Sequence, residues 1–341
     1  MKRSRLMAVS GFFLTALSSS PAWGSVPPQP GTVNYVEGQA AIDGSSLNEQ
    51  SVGSTKLAAG QSLSTQNGRA EILLTPGIFL RVGDQSTVQM VSPGLADTVT
   101  NLTKGRAMVE VDQIRPENNV RVNVRGSSTQ LLKPGLYDFR ADLGLVRVFD
   151  GEAVVQAAGQ SAKLGRDHQV SLNTPGKLKT RKFDAKASMD DFYRWASLRS
   201  SYLAEASVDA ARSAVGAYGG GSGWYDYGWY WDPWFAAYTF VPGDGVFVGP
   251  FGWGFYSPWY ALAAPYWGYG WRGGFYHHFG PGYRPPLAAH AGRPGFAGRA
   301  YSMRGGMGVS RGAFAGARGG FAGGGFHSGG GFHGGGGGRG R

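Results

Sequence analysis

The sequence predicts a mainly β protein, in which short strands form a sandwich, roll or solenoid-like domain at residues 31–174. It also predicts one amphipathic helix, a Trp/Tyr/Gly-rich β-hairpin module and a disordered Gly/Arg-rich C-terminal tail. The first observation behind this is the recurrence of strands of about five residues, at about ten-residue spacing, between turn residues. The second is the composition beyond residue 272, where aliphatic residues are nearly absent.

Alternation and turn residues place the strands. In the segment 119–126 the valines at 120, 122 and 124 alternate with polar residues, which is typical of a strand with one buried face. Pro76-Gly77 predicts a turn between strands at 72–74 and 78–82. The segment 135–156 predicts three strands, and Asp150-Gly151 predicts a hairpin turn between the last two.

Residues 1–24 form a predicted export signal. Lys2, Arg3 and Arg5 precede the apolar stretch Leu6–Leu17, and Ala22 and Gly24 supply the small residues before a cleavage site. The apolar stretch would rise only about 18 Å as a helix, which is short of the roughly 30 Å hydrocarbon core. We therefore expect cleavage and export to the periplasm or cell surface; an uncleaved signal anchor is the alternative.

Residues 188–217 predict the amphipathic helix. Ser188 with Asp191 three residues later matches a capping box. The basic segment 175–187 before it is expected to be a linker or a final edge strand. The helix carries a stripe that needs a partner surface, with the β-domain favoured over an oligomer contact or a membrane surface. That stripe consists of Phe192, Trp195, Leu198 or Arg199, Tyr202, Leu203 and Ala206.

The segment 224–271 is exceptionally aromatic and holds eight of the ten Trp residues. Within it, 242–245 predicts a hairpin turn between two β-prone arms. A compact ring-stacked β-module is favoured; a surface that stacks on glycan or an envelope protein, or an unfolded segment, are alternatives. The predicted ligand or partner surface consists of Trp224, Trp229, Trp231, Trp234, Trp253 and Trp259.

The tail at 272–341 carries nine Arg and no acid. Its wide Arg spacing predicts either a flexible spacer or weak, salt-dependent contact with a polyanion. Because the chain is predicted to be exported, specific nucleic acid binding is not expected. The candidate polyanion contacts are Arg304, Arg311, Arg318, Arg339 and Arg341.

The sequence predicts no enzymatic activity, no cofactor and no metal site. The absence of Cys excludes a disulfide framework, thiolate metal sites and a Cys nucleophile. His168 stands in a turn segment without a nucleophile beside it, so a hydrogen-bonded surface His is the favoured interpretation. The adjacent His277 and His278 predict at most adventitious metal binding.

Three motifs of the β-region occur together, namely "LAAGQSLSTQNGRAEILLTPGIFLRVG" at 57–83, "LTKGRAMVEV" at 102–111 and "VRVFDGEAVVQ" at 146–156. With these motifs the β-region resembles the FecR domain of periplasmic sensors. The resemblance covers 31–173 and implies a β fold with no catalytic residues to carry over. The signalling members of that family carry an anti-sigma segment and a transmembrane helix ahead of the domain, where this chain has the predicted export signal.

These observations together predict an exported, non-catalytic envelope protein that binds or scaffolds. The expected partner is an envelope protein or polysaccharide, contacted through the aromatic module. The alternative is a periplasmic regulatory sensor that relays a signal to a membrane partner, as the resemblance to the FecR domain implies.

Overall fold

A computed structural model describes residues 28–173, 178–217 and 227–263 of the chain. The predicted export signal, Trp224 and the predicted tail at 272–341 lie outside these residues. The described part is mainly β, as predicted. No helix within it is long and apolar enough to cross a membrane.

The β-domain is built on one sheet of fifteen strands. Its strands are β1 (Val33–Ile42), β2 (Ser45–Ser46), β3 (Ser62–Thr75), β4 (Ile78–Val82), β5 (Thr87–Pro93), β6 (Asp97–Lys104), β7 (Arg106–Val111), β8 (Asn119–Val124), β9 (Ser127–Leu131), β10 (Gly135–Arg140), β11 (Leu145–Asp150), β12 (Glu152–Ala157), β13 (Gln160–Gly165), β14 (His168–Ser171) and β15 (Thr180–Lys182), with a 3-10 turn at Glu49–Ser51 between β2 and β3.

The sheet rolls up rather than splitting into the two layers of a sandwich. Its order is β13-β12-β9-β8-β6-β5-β3-β4-β7-β10-β11-β14-β15, with β1 and β2 added beside β3. The terminal strand β13 also lies beside β11, β14 and β15, so the two ends of the sheet approach each other. Of the three predicted architectures, the roll is therefore the one observed.

One face of every central strand lines a single apolar core. Val120, Val122 and Val124 point into it, as their alternation predicts. The Pro76-Gly77 turn also forms as predicted, joining β3 to β4 with Gly77 at φ 81°. A left-handed φ of this kind favours glycine.

The remaining elements cover the outer face of the sheet. They are α1 (Asp191–Ala217), β16 (Gly228–Asp232), β17 (Ala237–Val241), β18 (Val246–Val248), β19 (Gly254–Tyr256) and α2 (Pro258–Ala263). Strands β16 and β17 form one hairpin, and β18 and β19 form another. The short helix α2 had no sequence prediction.

The predicted hairpins at Asp150-Gly151 and 242–245 are wrong. Gly151 does adopt a left-handed φ of 95°, but β11 pairs with β10 and β14, whereas β12 pairs with β9 and β13. Likewise β17 pairs with β16 and not with β18. At Asp150-Gly151 both edges of β11 and of β12 are paired to other strands, and at 242–245 each flanking strand pairs with a different partner.

The helix start also differs from the prediction. Helix α1 begins at Asp191, and Asp190 caps it by accepting a hydrogen bond from the backbone N–H of Tyr193 at 3.1 Å. Ser188 instead donates its hydroxyl to the carbonyl of Asp184 at 2.7 Å. In the basic segment before the helix, residues 180–182 form the edge strand β15, which was one of its two predicted roles.

Candidate functional site

The outer face of the central strands carries charged side chains that are buried from solvent. Glu71 of β3, Arg81 of β4 and Glu110 of β7 are all completely buried. They face away from the apolar core because their neighbours Ile72, Leu80 and Val109 fill it. We call Glu71, Arg81, Glu110, Asp112 and Arg199 the charge cluster.

Arg81 lies between two carboxylates of this charge cluster. Its Nε donates to Glu71 at 3.0 Å, and its Nη1 donates to Glu110. Arg199 of α1 donates to the other oxygen of Glu71 at 3.0 Å. Burial would raise the pKa of Glu71, but the guanidiniums of Arg199 and Arg81 outweigh it and hold that pKa below its ordinary value.

Asp112 leaves the cluster with one carboxyl group too many. It is 2% exposed, and neither of its oxygens accepts a hydrogen bond within the described residues. Burial, followed by the nearby Glu110, raises the pKa of Asp112 well above its ordinary value. Three carboxyls face two guanidiniums here, so a protonated Asp112 makes the buried charges balance.

The aromatic segment forms the cover over this cluster. The side-chain amide of Asn34 on β1 donates to the carbonyl of Tyr238 at 2.9 Å and accepts from its N–H at 2.7 Å. Asn34 also donates to Glu71 at 2.9 Å, so one side chain ties the cover to the charge cluster. From the other side, the Cα of Gly249 lies against Asp112, where a Cβ would come within 2.4 Å of Oδ1.

Ring contacts fill the space between the cover and the sheet. Phe79 of β4 meets Trp229 edge-on at 5.0 Å between ring centroids. Phe240 meets Trp229 at 6.4 Å and Phe255 at 6.0 Å. The compact ring-stacked module predicted from the sequence is therefore the arrangement observed in the described part of 224–271.

The predicted Trp surface is divided by this packing. Trp229 and Trp253 are half-buried against the sheet. Trp231 is 38% exposed and lies edge-on to Tyr238, whereas Trp234 is 77% exposed at the turn between β16 and β17. Trp259 is 52% exposed on α2, and Trp224 lies outside the described residues.

Acidic groups flank the exposed turn. Asp232 accepts hydrogen bonds from the backbone N–H groups of Trp234 at 2.8 Å and Phe235 at 3.0 Å, which fixes the turn. Burial raises the pKa values of Glu205 and Asp209 on α1. The charges of Asp209 and Asp232 raise the pKa of Glu205 further, and the charge of Asp232 raises that of Asp209 against the lowering effect of Arg212. The turn thus presents an exposed indole on a backbone that the buried carboxylate of Asp232 holds in place.

A second ionic cluster anchors the start of α1. Arg106 bridges Asp138 and Asp190, at 2.6 Å to each, and Arg140 contacts the same two carboxylates at 3.0 and 3.2 Å. Asp138 is fully buried. This cluster joins β7 and β10 to the helix N-terminus and has a structural role.

Of the His residues considered from the sequence, the structure places His168. His168 binds the carbonyl of Arg166 through Nδ1 at 2.7 Å, in keeping with a hydrogen-bonded surface His. Within residues 28–173, 178–217 and 227–263, no group of three His, Cys, Asp or Glu residues is placed to hold a metal ion. His277, His278 and the candidate Arg residues of the tail lie outside these ranges.

Sequence reasoning missed the charge cluster entirely. The signal was present in the strands themselves, where Glu71, Arg81 and Glu110 alternate with core residues but have Leu73, Phe79 and Met108 as neighbours on the same face. Apolar residues beside charges on an outer face indicate that something covers that face.

Comparison with known proteins gives a limited likeness. No family model matches the chain, and no curated protein matches it. Two crystal structures of a candidate anti-sigma factor from Parabacteroides distasonis are similar to part of it, with TM-scores of 0.33 and 0.32 at 16% identity. They cover 38% and 37% of this chain and 62% and 61% of that one, so this chain spans about three fifths of that protein's length.

Proposed function

We propose that this chain is an exported, non-catalytic binding or scaffold protein of the cell envelope that contacts envelope polysaccharide through the β16–β17 hairpin. The proposal includes a FecR-like β-domain as the scaffold, on the strength of the motifs at 57–83, 102–111 and 146–156. Export rests on the charged, apolar and small-residue pattern of residues 1–24.

The observation that carries the proposal is the contrast between the tip of the hairpin and its body. Trp229, Tyr238 and Phe240 are held in the packing between cover and sheet. Trp234 is 77% exposed at the tip, although contact of its large apolar surface with water is unfavourable. A flat aromatic ring of this kind can stack on the apolar face of a sugar.

The experiment is co-sedimentation of the protein with purified peptidoglycan sacculi. Removing a stacked ring costs about 1–1.5 kcal/mol, so Trp234→Ala is expected to weaken binding about fivefold to tenfold. Leu143→Ala is the matched control, because Leu143 is 56% exposed on a turn of the β-domain. Equal binding by Trp234→Ala and the native chain would contradict the proposal.

The same mixtures test the non-catalytic part of the proposal. We expect no soluble sugar fragments to accumulate when the protein is incubated with sacculi. Time-dependent release of fragments would instead identify an enzyme. Deleting 272–341 is expected to reduce only the salt-sensitive part of any binding to polyanions, because the Arg residues of that segment are its proposed contact.

The regulatory sensor is the second candidate, and the motif resemblance to the FecR domain is what favours it. In-cell crosslinking separates the two proposals. A crosslink to an inner-membrane protein that persists in Trp234→Ala supports the sensor, whereas crosslinks confined to envelope polymer support the binding protein.

A further inference from the structure

Five uncharged polar side chains stand in one row across five successive strands, far from the aromatic cover in the order of the sheet. Asn101 of β6 is opposite Asn123 of β8, and Asn123 is opposite Ser128 of β9. Ser128 is opposite Gln156 of β12, which is opposite Ser161 of β13. We call these five residues the polar row.

The polar row lies on the outer face because its strand neighbours fill the core. Val122 and Val124 flank Asn123, and Val155 precedes Gln156, all of them buried. The polar row itself is half-buried to exposed. Strand spacing in a sheet is about 4.7–4.9 Å, so the polar row offers one hydrogen-bonding side chain at each such step.

Two tight turns lie along one side of the polar row. The β8–β9 turn has Arg125 and Gly126 at φ 50° and 77°, and the β12–β13 turn has Ala158 and Gly159 at φ 47° and 74°. Left-handed φ values at both central positions are those of two-residue hairpin turns. Together with the polar row they line a cleft of about 730 Å³, which is within the range of ligand sites.

The side chains of the polar row have free hydrogen-bonding capacity. Their backbones pair in the sheet, but none of the five side chains makes a hydrogen bond to another described residue. Gln89 is opposite Asn101 on the next strand, but it already donates to the carbonyl of Gly60 at 3.1 Å and lies outside the cleft. The amides of the polar row therefore differ from their neighbour in being available to a ligand.

We propose that this cleft binds a neutral polysaccharide, lying across the strands along the polar row. No charged side chain is among the residues that line it, so neither an anion nor a cation gains a partner there. Amide and hydroxyl groups each donate and accept hydrogen bonds, as sugar hydroxyls do. The site uses none of the residues of the β16–β17 hairpin and stands independently of the function proposed for it.

The test is calorimetric titration of the full chain with three neutral hexasaccharides, namely cellohexaose, maltohexaose and N-acetylchitohexaose. We expect at least one to bind, and Asn123→Ala with Gln156→Ala to weaken that binding at least about tenfold, because two ligand hydrogen bonds are removed. Ser128→Tyr places a ring in the cleft with a residue type that is common in β-strands, and is expected to abolish binding.

Gln89→Ala is the matched control, and Trp234→Ala separates this site from the hairpin. Both variants should bind the hexasaccharide as the native chain does. The proposal is overturned if no neutral hexasaccharide binds, if the double variant and Ser128→Tyr bind unchanged, or if alginate or chitosan oligomers bind more tightly than the neutral sugars. Thermal unfolding of each variant confirms that the fold is retained.

Discussion

The guanidinium of Arg199 on α1 donates to the buried carboxylate of Glu71 on β3 at 3.0 Å. The two residues are 128 positions apart in the chain, and both side chains are almost completely buried. This ion pair joins the helix to the outer face of the sheet. It also shows that Arg199, one of the two alternatives at that point of the predicted stripe, contacts the sheet through its charge.

Glu71→Gln is expected to destabilise the fold by about 3–5 kcal/mol, because the buried guanidiniums of Arg81 and Arg199 would both lose the carboxylate that they contact directly. Urea unfolding measures the loss. Asp84→Asn is the control, since Asp84 pairs with Arg69 at the surface and should change the free energy of unfolding by less than about 1 kcal/mol. Equal effects of the two substitutions would contradict the importance of burial.

Asp112 is expected to make stability fall as pH rises. Its folded-state pKa lies well above the ordinary value, so its contribution is fully present below the unfolded-state pKa of about 3.9 and is lost as pH rises through the folded-state pKa. Glu110, Arg81 and Glu71 are the charged groups that act on it.

Asp112→Asn imitates the protonated acid and should remove this part of the pH dependence. The quantity measured is the free energy of unfolding of Asp112→Asn minus that of the native chain. This difference is expected to be larger at pH 8 than at pH 4 by at least about 1.4 kcal/mol, the value of one pKa unit. Comparing the two proteins at each pH cancels the opposite contribution of Glu71, whose pKa is lowered. A constant difference across the pH range would show that Asp112 is ionised in the fold.

Gly249→Ala is expected to destabilise the cover by about 1–3 kcal/mol, because the new Cβ would lie 2.4 Å from Asp112 Oδ1 and 3.3 Å from Glu110 Oε1. Gly165→Ala is the matched control, since nothing lies within 4 Å of a Cβ at that position. Thermal unfolding followed by Trp fluorescence reports the cover. Equal midpoints for the two variants would argue against close contact between Gly249 and the charge cluster.

Asp190→Ala is expected to cost about 1–2 kcal/mol, because it removes the helix cap to Tyr193 and the acceptor shared by Arg106 and Arg140. Ser188→Ala, at the helix start predicted from sequence, should change stability by less than about 0.5 kcal/mol. Chemical unfolding of both variants distinguishes the two caps. A larger loss at Ser188 would favour the capping box that the sequence predicts.

The aromatic segment shows where local pattern is informative and where it is not. Its composition predicts a ring-stacked module, and the contacts of Phe79 with Trp229 and of Phe240 with Phe255 are of that kind. The hairpin predicted at 242–245 does not form, since β17 pairs with β16 and β18 pairs with β19. Turn residues mark where a strand ends, but the partner of a strand depends on contacts with other segments.

The sequence by itself determined the alternation of the strands, the turn at Pro76-Gly77 and the helix that ends at Ala217. These features depend on neighbouring residues and on the periodicity of their side chains. Tertiary structure alone decided that Glu71, Arg81 and Glu110 are buried, because the groups that cover and neutralise them come from α1 and the aromatic segment. Burial and charge pairing depend on contacts between distant positions, and no local pattern records which distant side chain will arrive.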